Sequence, residues 1–248
     1  MRSHESEGGY RLTHTMNILA IETSTMMGSV ALTHDRELLA EYQIGIKATY
    51  SDTLFPVIDH LLNHTGKSIR DIDAFAFAQG PGSFTALRIG ISVIKGMALA
   101  TGKPVVAIPS LDGLAHHIGF SNLLICPLID ARRDEVYTAF YKRKDGHSLT
   151  KLTPDRAIVP DKLLDEIRED VVFLGDGAKL YKDLIIRKLN KHAFFSPVHL
   201  TYPRASAIAQ LALRKLARDE RSDIDVMTPL YVRPPEAETK WRKKKIEC

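Results

Sequence analysis

The stretch Gly80-Pro81-Gly82-Ser83-Phe84-Thr85 lies between an apolar strand pattern, Ala74 to Gln79, and a long apolar helix pattern that begins at Ser83. A strand–turn–helix junction points bare backbone N–H groups and a positive helix end outward, which suits a phosphate or another small anion. Gly80 and Gly82 permit positive φ, and the Ser83 hydroxyl is placed to cap the helix. The same residues also serve a purely structural turn, and both readings stand. The turn is not a P-loop, because no Lys follows it, nor a dinucleotide fingerprint, because Thr85 stands where the third glycine belongs. Asp130 closes another apolar strand pattern. It could hold a metal or a water near a phosphate, or pair with Arg132 or Arg133.

Other reactive side chains read more plainly. His60 and His64 are four apart on a helix pattern, but no Glu follows the first and no third ligand is evident. His116 and His117 are adjacent and point apart. Cys126 lies inside an apolar strand and Cys248 ends the chain, so neither a zinc spacing nor a disulfide framework is present. No Ser/His/Asp or Cys/His set can be assembled. The expectation is no catalytic residue and no metal site.

The elements that must position these groups follow from periodicity. Asn17–Ile21, Ser29–Leu32 and Leu38–Ile44 read as a meander of strands. Ser51–Asn63 reads as a helix, with Leu54, Val57, Ile58, Leu61 and Leu62 on one stripe. Strand Ala74–Gln79, helix Ser83–Ala100, strand Val105–Ile108 and helix Leu111–Ile118 follow. A similar order then restarts: strand Leu123–Ile129, strand Glu135–Tyr141, a short strand Leu149–Leu152, helix Lys162–Arg168, strand Val171–Leu174, and helices Ala178–Leu189 and Ser206–Arg218. Each half opens on a strand that ends in an acid, Glu22 or Asp130, which suggests a duplicated α/β unit with mixed sheets. The expected divisions are residues 1–15 as a disordered extension or tag, 16–118 and 119–232 as the two halves, and 233–248 as a basic tail.

Helix 83–100 is apolar on more than one side. Leu87, Ile91, Ile94 and Ala98 form one stripe, while Ile89, Val93 and Ala100 lie away from it. Such a helix is covered on several sides. The second half of the chain or another subunit could cover the surplus face, and Ser92, Gly96 and Ala100 would let a second helix approach closely.

Composition narrows the classes. In 248 residues, 44% are hydrophobic and 26% charged, as in ordinary globular domains. No apolar run reaches the ~20 residues of a bilayer span, and residues 1–15 lack the apolar core of a secretory signal. Cytoplasm is the expected compartment. The net charge of +4 concentrates at Lys240-Trp241-Arg242-Lys243-Lys244-Lys245, which reads either as a solvated tail or as a weak RNA contact.

Five ordered blocks carry a family resemblance. They are Ile18–Thr25, Gly80–Gly90, Ile108–Leu111, Asp130–Arg132 with Glu135–Tyr137, and Gly175–Ala178. Together they resemble the bacterial TsaB (YeaZ) family of tRNA threonylcarbamoyladenosine biosynthesis proteins, from Met16 to about Arg233. The resemblance implies an actin-like, sugar-kinase ATPase fold of two ribonuclease-H-like halves. It also implies a non-catalytic scaffold. The paralogue TsaD transfers a threonylcarbamoyl group from an adenylate onto N6 of the adenosine beside the anticodon. Its His-x-x-x-His metal ligands match Ser110 and Leu114 here, and Leu114 has no donor atom. The implied partners are TsaD, the ATPase TsaE, a second copy of the chain, and tRNA indirectly or weakly. The implied docking residues are Leu54, Phe55 and Ile58 on the first helix, with Ile89, Ser92, Val93 and Gly96 on the second. Thr23, Ser24, Gly80, Gly82, Ser83, Thr85, Arg88 and Asp130 are the candidate nucleotide or phosphate contacts. No cofactor is required by this reading, and ATP or ADP would enter at the interface of the complex. The turns Thr23–Met27 and Asp130–Asp134 lack the glycines of phosphate hairpins. Many members carry a His near Tyr50, and the stretch before Met16 lies outside the family pattern. The other classes kept open are a small-molecule kinase or ATPase of this fold and a metallopeptidase-like protein.

Overall fold

The computed structural model describes residues 15–45, 50–144 and 148–233. The extension before Thr15, the basic run Lys240–Lys245 and Cys248 lie outside the described residues. The first half contains β1 (Asn17–Glu22), β2 (Met27–His34), β3 (Glu37–Gly45), α1 (Tyr50–His64), β4 (Ala74–Gly80), α2 (Phe84–Thr101), β5 (Val105–Pro109) and α3 (Ser110–His116). Its sheet has the order β3-β2-β1-β4-β5. β1 and β2 pair antiparallel from Asn17↔His34 to Glu22↔Ser29, whereas β4 joins β1 in parallel from Ile18↔Ala74 to Ile21↔Phe77. A short turn suffices for the first pairing, while the parallel one needs the crossover through α1.

The second half contains β6 (Leu124–Arg132), β7 (Glu135–Thr138), β8 (Tyr141–Lys144), β9 (Ser148–Lys151), β10 (Arg156–Ile158), α4 (Pro160–Leu164), β11 (Val171–Leu174), α5 (Asp176–Leu180), α6 (Lys182–Leu189), β12 (Ala193–Phe195) and α7 (Ala205–Leu216). Its main path runs β10-β7-β6-β11-β12. β6 and β7 are antiparallel, and β11 joins β6 in parallel. Order and sense repeat those of the first sheet, so the chain has the duplicated actin-like, sugar-kinase ATPase architecture.

Three sequence expectations change. The strand Glu135–Tyr141 is two strands, broken at Ala139-Phe140. There the Phe140 N–H donates to Thr153 Oγ1 (2.9 Å) and the Phe140 carbonyl accepts from Leu152 N (2.7 Å), so the backbone leaves the β6–β7 ladder. The helix Ala178–Leu189 starts earlier, at Asp176, and is interrupted at Tyr181 (φ −103°, ψ 19°). The helix Lys162–Arg168 is the shorter α4, which begins on Pro160 and gives way to three-residue turn bonds at Glu166 and Ile167. β10 and β12 have three residues each, too short for a period-two signal.

α2 is 18 residues long and as apolar as a membrane-crossing helix, yet Leu87, Ile91, Ile94 and Ala98 are buried on one flank. Successive residues of β1 serve opposite faces of the first sheet. Leu19 and Ile21 pack with α1 and α2, while Ile18 and Ala20 pack with Ile208, Ala209 and Ala212 of α7. α7 therefore comes from the second half of the sequence and covers the first sheet. Conversely, Leu111, Leu114 and Ala115 of α3 pack on the second sheet.

Candidate functional sites

The first candidate site is the junction of β4 and α2. Ser83 N–H donates to Ser24 O (2.8 Å), which seats the Gly80–Ser83 turn on the turn after β1. A Cβ on Gly82 would lie 2.3 Å from Ser24 O, and one on Gly90 would lie 2.5 Å from Thr23 Oγ1. Both glycines are spent on close packing between the two turns. Thr23, Ser24, Gly80 and Gly82 are thus brought together but buried, while Ser83, Thr85 and Arg88 stand on an exposed rim. Ser83 occupies the position ahead of the helix, and its carbonyl accepts from Leu87 N (2.9 Å). Its hydroxyl makes no capping bond, contrary to expectation. The backbone of Ser24 fills the space beside the Gly82 Cα.

Glu22 lies beneath this junction. It is fully buried, and Oε1 accepts from Ser24 N–H. Glu22 Oε2 and Ser24 Oγ are buried without a hydrogen-bond partner. Burial outweighs the Ser24 N–H bond and pushes the carboxyl from 4.5 up to about 7. Tyr50, which stands near the family His position, donates its hydroxyl to Thr25 O (2.6 Å) and ties α1 to the same turn.

Asp130 takes the ion-pair alternative: Arg132 Nη1 lies 3.1 Å from Oδ2, and Arg132 N–H donates to Oδ1 (2.8 Å). The next residues, Arg132, Arg133 and Asp134, have φ of 61°, 56° and 56°. A phosphate hairpin would place glycines in such backbone, and here side chains occupy it. Ser110 and Leu114, the positions matching the paralogue's metal ligands, are both fully buried. Ser110 Oγ accepts from Gly80 N–H (3.1 Å), and Leu114 packs in the second-sheet core. Neither fits a metal. His60 instead packs on Tyr42 and stacks with His64 at 6.3 Å.

The second candidate site is the outer face of α1 and α2. Leu54 and Ile58 are only 3 and 4% exposed and support this face from beneath, while Val93, 6% exposed, floors one of its grooves. Phe55 is 57% and Leu99 63% exposed, Ser92 and Gly96 are exposed, and Ile89 is half-buried. One groove between the helices is lined by Ser51, Phe55, Arg88, Ile89, Ser92 and Val93. A second shares Phe55 and continues past Gly96, Met97 and Ala100, with Arg70 and Lys103 on its rim. Sequence reasoning missed Tyr231. Its ring stacks on Phe84 (4.9 Å between centroids), and its hydroxyl accepts from Arg88 Nε (3.1 Å). A contact spanning so much chain leaves no local signal.

The chain is similar to known proteins over most of its length. The family model described as TsaD, tRNA N6-adenosine threonylcarbamoyltransferase, matches residues 33–241. The tRNA threonylcarbamoyladenosine biosynthesis protein TsaB of Bacillus subtilis is 34% identical over 229 residues, covering 91% of this chain and 98% of that protein. TsaB of Escherichia coli is 28% identical over 234 residues, covering 92% and 98%. Among solved structures, a Pseudomonas aeruginosa protein described by its similarity to the peptidase YeaZ superposes with a TM-score of 0.75 at 29% identity. That superposition covers 88% of this chain and all of the other.

Proposed function

This chain belongs to the TsaB (YeaZ) family of tRNA threonylcarbamoyladenosine biosynthesis proteins, within the wider group that the TsaD model describes, and on that premise we propose that it serves the pathway as a non-catalytic docking subunit. It binds and activates TsaD through the face formed by α1 and α2, pairs with itself through the same face when TsaD is absent, and recruits TsaE to the pair. The observation that carries this reading is the exposed apolar groove between α1 and α2, with Phe55 at its centre and small residues Ser92 and Gly96 beside it. Apolar area of this kind is stabilised by cover, and small residues allow a helix to approach closely. Two further observations support the absence of chemistry in the chain itself. Ser110 and Leu114 offer no metal-ligand pair, and the Gly80–Gly82 turn is packed against Ser24. ATP or ADP enters only at the interface of the complex, tRNA is reached through the partner or weakly through the basic tail, and the work takes place in the cytoplasm.

The test is light scattering after size exclusion, on the chain alone and mixed with TsaD. Phe55→Glu and Gly96→Arg are the informative variants. Phe55 is already exposed, and a Cβ on Gly96 meets nothing within 4 Å, so each substitution leaves the isolated fold intact. The expected result is a discrete heterodimer with the parent chain and at least a tenfold weaker one with either variant. Undiminished complexes with both variants would place the docking face elsewhere.

A further inference from the structure

Residues 222–233 run as a strap from the first lobe to the second. Ser222 starts it beside β5: its N–H donates to Val105 O (2.8 Å), and its Oγ accepts from Ala107 N (2.9 Å). Ile224 and Met227 then pack on the first-lobe core. Thr228 O accepts from Gln79 Nε2 (3.0 Å), and Leu230 N–H donates to Gln79 O (2.8 Å). Leu230 O lies 3.1 Å from where a Cβ on Gly80 would stand, so the strap crosses directly over the turn between β4 and α2. Next comes Tyr231, stacked on Phe84 with its hydroxyl on Arg88. Val232 packs on the second-lobe core. Arg233 ends the strap at the β6–β7 turn, where it donates to Ala131 O (2.7 Å) and pairs with Glu135.

The contacts of the last residues of the strap differ from core contacts. Tyr231 is 37% exposed, and the side chains of Arg233 and Glu135 are 27 and 28% exposed. Half-exposed stacking and ion pairs are weak individually, so each can open without unpacking either sheet. Together they hold one chain segment against both lobes. We propose that residues 222–233 are a latch: they clamp the lobes together and cover the Gly80 turn, with the Tyr231 contacts as the point of release. A passive tail would lie on one lobe only, and its loss would be felt only where it lies. A latch transmits release from one lobe to the other. The proposal does not depend on the docking reading, since it concerns the isolated chain.

Hydrogen–deuterium exchange of the full chain tests it. In Tyr231→Ala, amides of residues 83–87 beside the contact and of residues 131–138 on the far lobe should exchange about tenfold faster, with β1 and β11 unchanged. Glu135→Gln, which loosens the second-lobe contact of Arg233, should speed exchange at residues 83–87. Acceleration confined to the lobe that carries each substitution, or none at all, would overturn the latch. Loss of protection in β1 or β11 of Tyr231→Ala would mean general unfolding, and Glu135→Gln alone would then decide.

Discussion

At Glu22 the fold holds a carboxyl that the folded chain prefers protonated, with a pKa raised from 4.5 to about 7 by burial. Between those values the folded state keeps a proton that the unfolded state has lost. The group's contribution to stability is therefore full below pH 4.5 and falls as pH rises through about 7, by an amount on the order of 3 kcal/mol. Glu22→Gln keeps the acceptor for Ser24 N–H and removes the titration. The melting temperature of the parent chain should fall relative to that of the variant by several degrees between pH 5 and pH 8. An unchanged difference at the two pH values would mean that Glu22 is ionised in the folded chain throughout. Two glycines make a contrasting pair. Gly82→Ala drives a Cβ into Ser24 O at 2.3 Å, against backbone that cannot rotate away, and should cost several kcal/mol or abolish folding. Gly96→Ala meets nothing within 4 Å on an exposed helix face and should stabilise the isolated chain by up to ~1 kcal/mol. Urea denaturation of the two variants checks both signs. One glycine precedes α2 and the other lies within it, but which one has a neighbour is not written locally.

At the scale of elements, α7 shows how one side chain seats a helix. Glu41 on β3 is 7% exposed at its side chain. It accepts from Ser206 N (3.0 Å), Ser206 Oγ (3.0 Å) and Ser29 Oγ (3.0 Å), with Arg204 Nη1 at 3.4 Å. The carboxylate thus satisfies an orphan N–H in the first turn of α7 and places a negative charge at its positive end. Glu41→Ala would leave those donors partly unpaired, and should cost about 2–4 kcal/mol. The denaturant midpoint measures this, and a change under 0.5 kcal/mol would show that packing alone holds α7. Its existence was legible from Ile208, Leu211, Ala212 and Leu216 at helical spacing. The helix break at Tyr181 was not, because the apolar spacing through α5 and α6 continues across it. Gly175 and Gly177, where a Cβ would stand 2.0 Å and 3.0 Å from Leu128 backbone atoms, fix where α5 begins.

At the scale of the molecule, the two halves are similar in strand order but not independent. Ile18, Ala20, Ala76 and Ile108 on the first sheet are covered by α7, and α3 lies on the second sheet. Residues 16–118 expressed alone would expose the α7-facing side of their sheet. That fragment should be collapsed but not cooperatively folded, whereas the full chain should melt in a single transition, as calorimetry of both would show. A sharp, independent transition in the fragment would mean that the first sheet is stable without α7.

Periodicity and turn chemistry by themselves determined the order of elements in the first half, the duplicated strand pattern and the apolar excess of α2, because each is a property of residues near in sequence. The five ordered blocks determined the family for the same reason: their residues are local and contiguous. Tertiary structure alone decided that the glycines of the Gly80–Gly82 turn pack against Ser24 and Leu230, that Ser110 serves Gly80, and that Tyr231 meets Arg88. Which α2 positions are exposed was decided there too: Val93 turns inward, while Ser92 and Gly96 face out. In each case the partner is far away along the chain, and no spacing along a single helix or strand records which distant backbone will come to fill its open side.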